Sequence, residues 1–202
     1  LTTGGSNVAV GMGSADALTT GNQNVALGTY ALSTSQDIDN AIAIGYGACN
    51  NLATADADGT IAIGYASLSV LTSGQHNIGI GYLSMNETTV ADYNTAIGYQ
   101  AMYRDGGLAN IHNTFVGQGI ASGDWTTGAS THNTGLGSGV MQGAMNGALG
   151  NTAIGVDSLN ALTSGDYNTA LGVNSADALT TGQENVAIGR NAMGSANTQS
   201  SC

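Results

Sequence analysis

The sequence predicts an all-β fold: a parallel β-solenoid (β-roll) of about eleven coils with a period near 17 residues. Three observations carry that prediction. First, the pentapeptide Asn-x-Ala-aliphatic-Gly returns eleven times, closing on Gly11, Gly28, Gly45, Gly64, Gly81, Gly98, Gly117, Gly137, Gly155, Gly172 and Gly189. Second, those glycines stand 17 to 20 residues apart, whereas a helical-pair repeat needs about 33 residues and a propeller blade about 40. Third, the apolar residues, 42% of the chain, are mostly small or branched aliphatics in fixed columns, as a narrow solenoid interior requires. A coil with two short strands and two turns fits the period, and no coil can bury its apolar face without its neighbours. Eleven coils at the spacing of about 4.8 Å between paired strands make a rod roughly 50 Å long.

Each coil reads the same way, counted from its closing glycine. The residue before the glycine is a large aliphatic in every coil, from Val10 and Leu27 to Leu171 and Ile188, and two residues earlier stands a β-branched residue, from Val8 to Val186. Residues two apart on a strand share a face, so these columns form one face, expected to point into the coil. The residue between them faces the other way and is Ala9, Ala26, Ala43, Ala62, Gly79, Ala96, Phe115, Gly135, Ala153, Ala170 and Ala187. A solvent face would carry polar residues. Small residues predict instead the close approach of a second backbone, and make Ala9, Ala26, Ala43, Ala62, Gly79, Ala96, Ala153, Ala170 and Ala187 the candidate oligomer interface. The leading Asn, missing only at Ala41 and Thr60, suits a turn and can bond to its own kind along the axis. A second turn, Thr-Thr-Gly or Thr-Ser-Gly, follows Leu18, Leu71, Leu162 and Leu179, which are expected to plug the far edge of the coil. The coils at about 103–150 are irregular, with longer loops and the sole tryptophan, Trp125.

Composition narrows the function. Net charge is −11, lysine is absent, and Arg104 and Arg190 are the only strong cations, so binding to nucleic acid or to anionic lipid, which rests on Lys and Arg clusters, is not expected. No apolar run approaches the length of a membrane span. Cys49 shares a column with Leu32, Leu68, Met85, Met102 and Leu159 and reads as a small buried apolar residue. Cys202 is open to an intermolecular disulfide or a free thiol. The chain starts partway through a repeat and carries no polar capping coil at either end, which reads as one solenoid domain over 1–202, processed or cut from a longer fibre protein.

The phrase NTAIGYQAM, from Asn94 to Met102, with its LTTG spacers resembles the head repeats of trimeric autotransporter adhesins, and still more those of bacteriophage tail-fibre proteins. The resemblance extends from Asn7 to Met193. It implies a left-handed roll with three chains about a common axis, the small column facing the neighbours.

No nucleophile–base constellation is present, so an enzyme is not expected, and no cofactor is implied. His76, His112 and His132 each precede a motif Asn; adjacent imidazoles can share a Zn ion, but exposed turn histidines are the simpler reading, and no metal site is assigned. The candidate binding surface is Tyr46, Tyr65, Tyr82 and Tyr99, one behind each closing glycine of four successive coils, together with Trp125 in the irregular loops. Such a row can meet sugar rings or protein, or only tie coil to coil. The functional expectation is an extracellular structural or adhesive fibre segment, in a virion tail fibre or on a cell surface, that self-associates as a trimer and holds a binding tip towards a host glycan or protein. An end-to-end filament subunit is the alternative. An ice-binding solenoid is the minor one, weakened by Thr columns that are interrupted and expected to face inwards.

Overall fold

A computed structural model describes residues 3–52, 57–195, 198, 200 and 201. Every repeat contributes one three-residue strand: β1 (Val8–Val10), β2 (Val25–Leu27), β3 (Ile42–Ile44), β4 (Ile61–Ile63), β5 (Ile78–Ile80), β7 (Thr95–Ile97), β9 (Thr114–Val116), β10 (Thr134–Leu136), β11 (Thr152–Ile154), β12 (Thr169–Leu171) and β13 (Val186–Ile188). These form a single eleven-stranded parallel sheet in chain order. Registers are in phase throughout, Ala9 beside Ala26 and Ala170 beside Ala187. The irregular coils keep phase too, because their extra residues lie between strands. The second strand of each coil is rudimentary. Among the described residues it reaches strand length only in β6 (Ala91–Asp92) paired with β8 (Asn110–Ile111), with isolated bridges such as Thr131 to Leu149 elsewhere. The far wall is otherwise turns.

The coil closes through left-handed residues at three recurring positions besides the glycine. In one coil these are His76, Leu83 and Met85, with φ of 57°, 54° and 49°. An L-residue in that region costs roughly 1–2 kcal/mol, so the stack must hold it. It does: the amide of His76 donates to the Asp58 carbonyl at 3.1 Å, Leu83 to Tyr65 at 3.0 Å and Met85 to Ala101 at 3.0 Å, each in an adjoining coil. The closing glycine is obligatory for a second reason. At Gly98, φ is +139° and a Cβ would lie 2.1 Å from the Gly117 carbonyl oxygen.

The core reverses the expected faces. Ala26, Ala43, Ala62, Ala96, Ala153, Ala170 and Ala187 are buried inside their own chain, and so is Gly79, while Ala9 in the first strand is exposed. The aliphatics at either side of them point outwards, and so do Thr95, Thr114, Thr134, Thr152 and Thr169, against the expectation that they face inwards. The small column is therefore not the oligomer interface. The reason is the width of a 17-residue coil. The interior is filled from the turn wall by Leu32, Cys49, Leu68, Met85, Met102 and Leu159, and from the far edge by Leu18, Leu71, Leu162 and Leu179, all buried. Only a methyl group or less remains for the strand. At Gly79 a Cβ would already stand 3.0 Å from Leu68 Cδ1. Phe115 is the one large residue in the column. Gly135 in the next coil makes room for it, and Trp125 packs edge-on against it at 6.3 Å and 74°.

The motif asparagines form an internal ladder. Asn133 Nδ2 donates to Asn113 Oδ1 at 3.1 Å and to the Ala148 carbonyl at 2.9 Å, while its own Oδ1 accepts from Asn151 N and Nδ2, both at 3.0 Å. The ladder stops at Asn24, where Ala41 and Thr60 interrupt it, and resumes at Asn77. Thr60 Oγ1 is buried there without a partner.

Candidate functional site

The outer face of the eleven-stranded sheet carries two columns: one is aliphatic in every strand, and the other is Val or Ile except on five successive strands, where it is Thr95, Thr114, Thr134, Thr152 and Thr169. Its columns are half-buried across β2 to β7 and more open further on, with Leu136 49% exposed, Leu171 44% and Ile188 66%. None of its residues is charged. Ten strand-to-strand steps and a three-residue width give a strip of roughly 50 by 10 Å, about 500 Å², apolar except for the five threonines.

Two rows of stacked rings flank the strands. Tyr46, Tyr65, Tyr82 and Tyr99 follow the closing glycines, as the sequence predicts. Their centroids are 5.3, 5.1 and 5.5 Å apart, their planes within 13° of parallel, and each ring is about half exposed (46–51%). Tyr30 closes one end edge-on, at 6.0 Å and 86°. Because the rings face one another along the axis, they present edges and hydroxyls outwards. A sugar ring cannot lie flat on faces already covered. The second row precedes the motif asparagines. His76 stacks on Tyr93 at 5.1 Å, Tyr93 on His112 at 5.1 Å, and His112 tilts on His132 at 5.0 Å and 37°. The three histidines are exposed turn residues, as expected, but sequence reasoning missed that Tyr93 occupies the same column and joins them into a row. Listing the residue before every motif Asn finds it.

Trp125 does not belong to the surface. It is wholly buried, with its indole nitrogen unpartnered, because the longer loop folds it into the space beside Phe115. The same loop region buries Asp105. Its carboxylate accepts from Thr88 Oγ1 at 2.8 Å, from the Gly107 amide at 3.2 Å and from Asn110 Nδ2 at 3.3 Å, yet burial dominates and pushes its pKa up from 3.8 to about 6. Arg104 and Asp124 form an exposed ion pair at 3.1 Å, a geometry of small energetic worth. Cys49 is buried, and burial pushes its thiol up to about 12, which leaves it inert at neutral pH. Cys202 lies outside the described residues. Among the described residues no group of three or more His, Cys, Asp or Glu is placed to hold a metal ion, and no helix is long and apolar enough to cross a membrane.

Comparison with protein-family models, with curated proteins and with solved structures found no match.

Proposed function

We propose that this chain is a structural segment of a multi-chain extracellular fibre, one that spaces or presents a binding tip for attachment to a host or surface. The observation that carries the reading is the uncharged outer face of the sheet, with one column aliphatic in all eleven strands. The two strand columns make a strip of about 500 Å² per chain, so a contact between two copies covers about 1,000 Å² in all, the lower bound of a specific interface. The occupant of matching length, pitch and chemistry is the same face of another copy. A trimer about a common axis is the arrangement that the resemblance of the NTAIGYQAM-type repeats to adhesin heads and tail fibres favours.

End-to-end stacking is less favoured. The Ser201 amide donates to the Gln183 carbonyl at 2.8 Å, and the Gln183 amide to Ser200 Oγ at 3.2 Å. Residues 200 and 201 thus cover one turn of the last coil, where a stacked copy would have to pair.

The test is mass by light scattering at micromolar concentration, beside far-ultraviolet circular dichroism. The wild type is expected as a discrete oligomer, and the double variant Leu136→Glu/Ile154→Glu as a folded monomer, because charge on a covered apolar face is strongly disfavoured. A monomeric wild type, or an unchanged oligomer in the variant, would sink the proposal.

A further inference from the structure

We propose that the tyrosine row is a binding lane for an extended planar conjugated molecule lying parallel to the solenoid axis. Three steps of 5.1–5.5 Å make a comb about 16 Å long. The four planes lie within 13° of parallel from ring to ring, so the ring edges line up rather than fanning out. The faces are consumed within the stack, and the partly positive edges are what remains to the outside. A partly positive edge attracts the electron-rich face of another ring system, as in edge-to-face aromatic pairs. A flat molecule that spans several coils meets several such edges at once. A compact ring meets one or two, and a saccharide offers no π face at all.

The surroundings agree with that class. The row runs beside the aliphatic column that ends each strand, which supplies an apolar flank. Tyr30, turned edge-on to Tyr46, bounds one end. The net charge of −11 favours a neutral or cationic ligand over an anionic one. Neutral extended polyphenols have this shape, an electron-rich face and no negative charge. The row sits within each single chain, so the lane does not depend on the chain's assembly.

The probe is curcumin, an extended, neutral, electron-rich polyphenol dye whose fluorescence rises in an apolar site. Saturable enhancement is expected with the wild type, and equally with the Leu136→Glu/Ile154→Glu variant, which separates this proposal from the fibre reading. Tyr65→Leu/Tyr82→Leu keeps apolar bulk but removes the ring edges, and should weaken binding at least tenfold with the circular dichroism spectrum retained. Tyr65→Phe/Tyr82→Phe keeps the edges and should stay within threefold. Val156→Ser/Val173→Ser changes exposed apolar residues of the same column in coils without rings, and should leave binding unchanged. Absence of saturable enhancement, or full binding in the leucine variant, would overturn the lane. So would equal loss in the valine variant, because the dye would then be reading general apolar surface.

Discussion

Replacing Asn94 and Ile97 by alanine, separately, tests which side of the strand is the interior. Asn94 is fully buried and Ile97 half-buried, although Ile97 has the larger apolar side chain. Asn94 Nδ2 donates to the Asn110 carbonyl at 2.8 Å, and Oδ1 accepts from Asn113 N and Asn113 Nδ2, both at 3.0 Å. Asn94 Nδ2 also donates to Asn77 Oδ1 at 3.3 Å, and alanine removes all four bonds. Asn113 Nδ2 keeps the Ser130 carbonyl at 2.8 Å, but the buried Asn113 amide loses its acceptor. An orphaned buried donor costs about 1–3 kcal/mol, and with the other lost bonds the sum is about 2–4 kcal/mol. Ile97→Ala in a single chain removes three carbons from a half-exposed site, worth about 1 kcal/mol at 0.8 kcal/mol per fully buried methylene. Once the aliphatic face is covered by another copy, the same change rises into the range of about 2–5 kcal/mol for buried positions. The assay is urea denaturation followed by circular dichroism, in the wild-type background and in the monomeric Leu136→Glu/Ile154→Glu background. Asn94→Ala should shift the midpoint alike in both, and Ile97→Ala should shift it strongly only in the assembled protein. Ile97→Ala as the more damaging change in single chains would refute the orientation of the strand.

Two further outcomes follow from the ladder and from the buried carboxyl. Thr60→Asn should stabilise the protein by about 1 kcal/mol, because an amide there can accept from Asn77 and replace a hydroxyl that has no partner; a thermal melt showing no gain would mean the break at Ala41 and Thr60 does not weaken the ladder. Asp105 has a folded pKa of about 6, above its ordinary 3.8, so the fold holds its proton more tightly than the unfolded chain does. Stability therefore falls as pH rises from about 4 to 6 and this contribution is level above about 7, with a total of up to about 3 kcal/mol at 1.36 kcal/mol per pH unit. Asp105→Asn should abolish that step and raise stability at pH 7; a step that persists in denaturation curves of the variant belongs to another group.

What the sequence determined by itself is whatever repeats. A glycine that returns every 17 to 20 residues sets the coil, the strand before it, the register and the count of eleven strands. The columns also announce the asparagine ladder, the leucine plugs, the buried Cys49 and the four stacked tyrosines, because in-register stacking places identical residues one above the other. Tertiary structure decided which face of the strand is the inside. Alternation puts Ala96 opposite Thr95 and Ile97 but does not say which side closes over, and the usual rule that large apolar residues go in points the wrong way here. The answer depends on the width of the coil, which is set by Leu68, Met85 and their equivalents reaching across from turns more than a strand length away in sequence. Trp125 eluded the sequence for the same reason: its burial depends on the cavity that Phe115 and Gly135 leave between two coils, and that volume exists only after the coils have stacked.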